Sequence, residues 1–172
     1  GCPPKSYGDL AFVQHMIASL KPEGKLGVVL PHGILFRGGA EGRIREGILK
    51  DDLIEAVIGL APNLFYGTGI PACVIIINKD KPADRRGKVL FVHGAEEMVP
   101  GKNQNSLSDE NVTRLVEAFK AYKDEERFSR IVDLDEIKGN DWNLNIARYV
   151  DSTEPEEQID VAEEYKKLKE LT

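Results

Sequence analysis

The sequence predicts an α/β layered protein built on a mixed sheet. Three observations carry this. Segments with apolar residues at helical spacing alternate with short continuous apolar runs. The runs are bounded by glycine, proline and acidic pairs. Two of them are joined by too short a link to hold a crossover helix.

In chain order, Asp9 to Leu20 places Leu10, Val13, Ile17 and Leu20 on one helical face, flanked by Phe12 and Met16. Lys21-Pro22-Glu23-Gly24 stops that helix and turns the chain. Leu26-Gly27-Val28-Val29-Leu30 is an apolar run expected to be a strand buried on both faces, ended by Pro31-His32-Gly33. The glycine-rich connection Arg37-Gly38-Gly39-Ala40-Glu41-Gly42 opens a second helix with Ile44, Ile48 and Leu49 inward. Leu53 to Leu60 and Ala72 to Asn78 are the next strands, separated by Ala61 to Pro71, which has no helical pattern. They are therefore expected to pair antiparallel, at one end of a mostly parallel sheet. Lys88 to Val92 is a further strand. Ser108 caps a helix carrying Val112, Leu115, Val116, Phe119 and Tyr122. Ile131 to Leu134 reads as a strand and Trp142 to Tyr149 as irregular. A last helix starts at Thr153, with Glu156 at capping-box spacing and Ile159, Ala162, Tyr165 and Leu168 as a narrow apolar stripe that needs a partner surface. The expected divisions are 1–100, 101–150 and 151–172.

Composition narrows the function. The 172 residues carry 23 Lys and Arg against 29 Asp and Glu, with 41% hydrophobic residues, an ordinary globular mix. The charge is uneven, with a net of +1 over residues 1–100 and −7 over 101–172. The acidic part is a poor surface for nucleic acid, whereas the first part can serve as one. The longest apolar run, Ala72 to Ile77, is far shorter than a membrane helix, and no membrane is expected. Cys2 and Cys73 do not make a disulfide framework, which fits a reducing compartment. His15, His32 and His93 have no metal-ligand spacing, so no metal is expected.

Four places can carry chemistry. Arg37, Arg43 and Arg45 surround the glycine-rich segment and can address phosphates at a helix N-terminus, or the segment is a plain turn before a solvated helix face. The loop Pro62 to Pro71 sets Phe65 and Tyr66 between Asn63 and the glycines Gly67 and Gly69; the rings can stack on a planar ligand such as an extruded base, or Phe65 can cap the core. The cluster Lys102-Asn103-Gln104-Asn105-Ser106 offers a cation and amides for phosphate or base contacts, or is a simple turn. His32, just after a strand end, is a candidate base or a structural histidine.

The run Leu30-Pro31-His32-Gly33-Ile34-Leu35-Phe36-Arg37-Gly38-Gly39-Ala40-Glu41-Gly42-Arg43-Ile44-Arg45 resembles the M (methyltransferase) subunit of type I restriction-modification systems. So do Val57 to Cys73, Gly101-Lys102-Asn103-Gln104-Asn105 and Asn143-Leu144-Asn145-Ile146-Ala147-Arg148-Tyr149. The resemblance runs from about Asp9 to Val150. It implies transfer of a methyl group from S-adenosylmethionine to N6 of adenine in DNA, on a Rossmann-like sheet whose last pair is antiparallel, followed by a helical C-terminal tail. It implies that Asn63, Phe65, Tyr66 and Gly67 belong to the loop that holds the target base, and that Pro31, His32 and Gly33 follow a strand beside the catalytic one. Arg37, Arg43, Arg45, Lys102, Asn103 and Asn105 are the expected DNA contacts. The implied partners are DNA, a specificity subunit, a restriction subunit and a second methyltransferase subunit, all in the cytoplasm, with 151–172 as an assembly helix.

The sequence also departs from that family. The catalytic Asn-Pro-Pro-aromatic tetrapeptide and the glycine-rich methionine-binding motif are missing. Cys2-Pro3-Pro4-Lys5 is only superficially close, and Pro3 to Ser6 fits a segment that follows the tetrapeptide. The chain is therefore expected to be the C-terminal half of such a subunit, inactive by itself, with no catalytic residue of its own. A non-catalytic assembly module and a nucleotide-binding domain using Gly38 to Gly42 are the alternatives.

Overall fold

A computed structural model describes residues 1–153 of the chain. Its elements are α1 (Asp9–Ser19), β1 (Lys25–Pro31), a 3-10 turn (His32–Leu35), α2 (Gly39–Lys50), β2 (Ile54–Leu60), β3 (Ala72–Asn78), β4 (Lys88–Gly94), α3 (Asp109–Ala121), β5 (Ser129–Asp133) and α4 (Leu134–Gly139). The five strands form one sheet in the order β1-β3-β2-β4-β5. The short link between β2 and β3 does force them antiparallel. That pair is not at the end of the sheet, however. β3 lies between β1 and β2, antiparallel to both, and β4 adds alongside β2 in parallel. The sheet is mixed rather than mostly parallel, because β5 also joins β4 antiparallel. β1, β2 and β4 nevertheless all point the same way.

Side-chain alternation splits the core between the two faces. Cys73, Ile75 and Ile77 of β3 and Val89 and Phe91 of β4 meet Leu10 and Val13 of α1 and Ile44, Ile48 and Leu49 of α2. On the other face, Ala56 and Ile58 of β2 and Leu90 and Val92 of β4 meet Leu115 and Ala118 of α3. Each fully buried Val, Leu, Ile or Phe side chain among them contributes about 1.5–3 kcal/mol. Tyr149 stacks on Phe91 with ring centroids 4.3 Å apart, so the 101–150 stretch closes over the sheet that 1–100 begins.

Strand 26–30 is not buried on both faces. β1 pairs only with β3 among the described residues, and Val29 is 50% exposed, because nothing described covers that margin of the sheet. The helix expected from Ser108 is α3, and Ser108 and Asn111 close a reciprocal capping box. The strand expected near Ile131 is β5; α4, directly after it, was not foreseen. The expected assembly helix lies, from residue 154 onward, outside the described residues. Among the described residues, no helix is long and apolar enough to cross a membrane.

At the amino ends of β2 and β4, buried polar groups lock the sheet. Lys81 Nζ donates to Asp52 Oδ1 at 2.6 Å and to the carbonyls of Ile54 and Lys88 at 3.1 and 2.6 Å. Glu55, 1% exposed, accepts from Asn78 Nδ2 and from Arg85 Nη1, each at 2.9 Å. The Arg85 guanidinium lies over the Tyr122 ring, 4.2 Å from its centroid. Burial, with Glu55 adding to it, pushes the Tyr122 phenol well above its ordinary value.

Candidate functional site

Because β1, β2 and β4 are co-directional, the segments leaving their carboxyl ends converge on one end of the sheet. These are the turn 32–35, the loop 61–71 and the stretch 95–107. That end is where open α/β sheets gather ligands. β3 starts there too: Pro31 lies opposite Ala72, and the His32 N–H donates to the Pro71 carbonyl at 3.2 Å. Pro31 to Gly33 and the aromatic loop are thus neighbours, although far apart in the chain.

The loop presents its rings outward. Phe65 is 45% exposed and Tyr66 92%. Asn63 takes a left-handed conformation at φ 56°, and Gly67 does so at 76°. A Cβ on Gly69 would lie 2.9 Å from Asn63 Oδ1, so the loop folds tightly on itself at that point. Phe65 and Tyr66 line two shallow clefts. One, of about 450 Å³, is completed by Leu60, Leu64 and residues 104–107; the other, of about 350 Å³, by Asn63, residues 67–69, Asn103 and Gln104. Phe65 also walls an apolar groove of about 390 Å³ on the sheet face beside α3.

The 102–106 cluster lies against this loop. Val99 and Ser106 pair through two backbone hydrogen bonds of 2.7 and 3.0 Å, closing a small hairpin. From it, Asn105 donates to the carbonyls of Pro62 and Asn63, and Gln104 to that of Leu64. Both ends of the Asn105 amide are thus bonded within the protein. Lys102 and Asn103, at the hairpin tip, are exposed. The role of Gln104 was not separable in the sequence, since its acceptor is 40 residues away.

The three arginines part company. Arg45 is 4% exposed and donates to the carbonyls of Trp142, Ile34 and Arg37 at 2.8, 3.0 and 2.8 Å, which ties the 142–149 segment to α2. An arginine so placed braces the fold, and burial pulls its pKa below the usual guanidinium value. Arg37 makes a two-pronged pair with Glu41 at 2.8 and 3.1 Å and lies 4.4 Å over the Tyr7 ring centroid. Glu41 is itself buried in the first turn of α2, where its negative charge suits the helix start. Arg43 is exposed. His32 is half-buried, edge-on to Phe36 with ring centroids 5.7 Å apart, and burial holds its pKa below the ordinary imidazole value. Among the described residues, no three His, Cys, Asp or Glu side chains gather as a metal site.

The sequence model of the N-6 DNA methylase family matches residues 1–158. The type I restriction enzyme MjaVIII methylase subunit of Methanocaldococcus jannaschii is 42% identical over 174 residues, covering 99% of this chain and 30% of that protein. The MpnII methylase subunit of Mycoplasma pneumoniae is 34% identical over 92% of this chain and 29% of its own length. The structure of a type I restriction-modification methyltransferase subunit from Streptococcus thermophilus superposes with a TM-score of 0.82 at 43% identity, over 87% of this chain and 31% of that one. The EcoKI M protein shares the fold at a TM-score of 0.67 and 20% identity, over 97% of this chain and 42% of that one. The chain thus spans about 30% of the length of the first relatives it matches. With its mixed sheet, its aromatic loop and these relatives, the chain belongs to the N-6 DNA methylase family, among the methyltransferase subunits of type I restriction-modification systems.

Proposed function

We propose that this chain forms the target-base side of an adenine-N6 DNA methyltransferase subunit. The observation that carries the reading is the outward Phe65–Tyr66 pair at the carboxyl end of the sheet. An adenine drawn out of its helix loses a few kcal/mol of stacking and pairing. Stacking on an aromatic ring returns about 1–3 kcal/mol per base. Tyr66, almost fully exposed, is ready for such a contact without leaving any packing. Exposed Arg43, Lys102 and Asn103 are the side chains here with room to meet phosphates. The co-directional strands with β3 inserted antiparallel support the far part of a Rossmann-like methyltransferase sheet.

S-adenosylmethionine is the methyl donor the family implies. The clefts beside Phe65 and Tyr66 do not fit it: their lining has amides, aromatic rings and apolar groups but no carboxylate for ribose hydroxyls. These residues are therefore assigned to the base and to DNA, and the donor to the rest of the subunit. The cytoplasm is the place of action. The partners are DNA, a specificity subunit, a restriction subunit and a second methyltransferase subunit.

In the full-length subunit, Tyr66→Ala is expected to lower kcat/KM for methyl transfer to DNA about tenfold or more, with stability changed by less than about 0.5 kcal/mol. Unchanged turnover refutes base holding. The same assay on residues 1–172 alone is expected to be blank. The apolar groove lined by Val29, Ile76, Val112, Val116 and Phe119 favours a second reading, an assembly module, which unchanged turnover would promote.

A further inference from the structure

Loop 61–71 is neither helix nor strand, yet its first half is gripped from outside. Three successive carbonyls each receive a donor from the neighbouring hairpin. Pro62 O accepts from Asn105 Nδ2 at 2.9 Å, Asn63 O from the Asn105 backbone N–H at 2.8 Å, and Leu64 O from Gln104 Nε2 at 2.8 Å. The other end of the same amide, Asn105 Oδ1, accepts from the Gly101 N–H at 3.3 Å, so one side chain links hairpin and loop. A Cβ on Gly101 would sit 1.9 Å from the Gln104 carbonyl oxygen, and the hairpin closes only because none is there. Behind it, Asn111 donates to Glu97 at 3.2 Å while capping α3 with Ser108. A continuous set of contacts runs from a packed helix, through the hairpin, to the residue before Phe65.

We infer that Gln104 and Asn105 are positioning residues. They fix the 62–64 backbone so that Phe65 and Tyr66 stand in one arrangement before DNA arrives. This rests on the base-holding reading of the loop. Both side-chain amides donate to carbonyls of the loop, which suits support rather than DNA contact. Fixing the loop in advance removes an ordering cost from base capture. Misplacement of a contacting group by about 1 Å costs up to about a hundredfold in rate.

The test uses the full-length subunit in its complex, with Gln104→Ala, Asn105→Ala and the double variant. Methyl transfer from tritiated S-adenosylmethionine to unmethylated genomic DNA of a strain lacking the system is normalised to donor-binding sites, so misfolded protein does not count. Hydrogen exchange is followed in parallel. The expected result is that amides of 62–69 exchange about tenfold faster or more in the double variant while β2 and β3 are unchanged. kcat per donor-binding site is expected to fall about tenfold, with KM for DNA within about twofold. Unaltered loop exchange overturns the inference, as does faster exchange with unaltered kcat. Gln104→Ala alone, which leaves Asn105 in place, keeps the test open if the double variant does not fold. Should Tyr66→Ala slow turnover while the hairpin variants do not, the inference fails and base holding stands. Should Tyr66→Ala be silent as well, base holding itself has failed.

Discussion

Lys81 shows what single residues contribute here. Its side chain is 2% exposed, and its ammonium has three donors for three oxygens, those of Asp52, Ile54 and Lys88. A complete set of this kind offsets the desolvation of the charge; an incomplete one does not. Lys81→Met removes the cation and one donor from each of these oxygens, leaving Asp52 with the Gly87 N–H and the Lys88 carbonyl with the Tyr122 hydroxyl. It is expected to destabilise the fold by about 3 kcal/mol, read as a fall in the urea midpoint with an unchanged slope. A loss below about 1 kcal/mol would mean that water satisfies those oxygens. At the same scale, helical period sorts the arginines of α2. Arg45 falls four residues after Glu41, and the inward positions of α2 are 41, 44, 45, 48 and 49, so helical period alone turns Arg45 toward the core and Arg43 away.

Elements were readable where their signals are local. Ser108 before an apolar stripe marks the start of α3, and the structure places it there with both halves of the box made. Ser108→Ala is expected to cost about 1 kcal/mol in chemical denaturation, and also to loosen the hairpin, since Asn111 holds Glu97 from the same turn. No measurable loss would show that the hairpin, not the cap, sets that end of α3. The antiparallel relation of β2 and β3 was equally local, because the length of their link decides it. The insertion of β3 between β1 and β2 was not: strand order depends on which edges find each other, and nothing within a strand encodes that. Helix α4 is six residues long, too short for an apolar period to stand out. The grip of Asn105 on Pro62 spans 43 positions, so the two halves of the site look like separate polar stretches in the sequence.

At the scale of the molecule, the sheet of the described residues ends in two edge strands, β1 and β5, each with one neighbour. β5 is in contact with α4, whereas β1 borders an apolar groove that begins at Val29. Unpaired strand margins template association. Residues 1–172 are expected to self-associate in sedimentation equilibrium, and Val29→Lys to shift them toward monomer; a wild-type monomer at the highest attainable concentration would contradict this. A different risk arises in the middle of the sheet, where all seven residues of β2 are buried. Apolar side chains on both faces cannot tell one alignment from the next, so oiliness by itself would allow β2 to slide. Glu55 forbids it. Moved by one place, its carboxylate would leave Arg85 and Asn78 and enter hydrocarbon at a cost of several kcal/mol. A single acidic residue thus works as the key that lets this otherwise featureless strand seat in one way, and the loop that follows it inherits that exact placement.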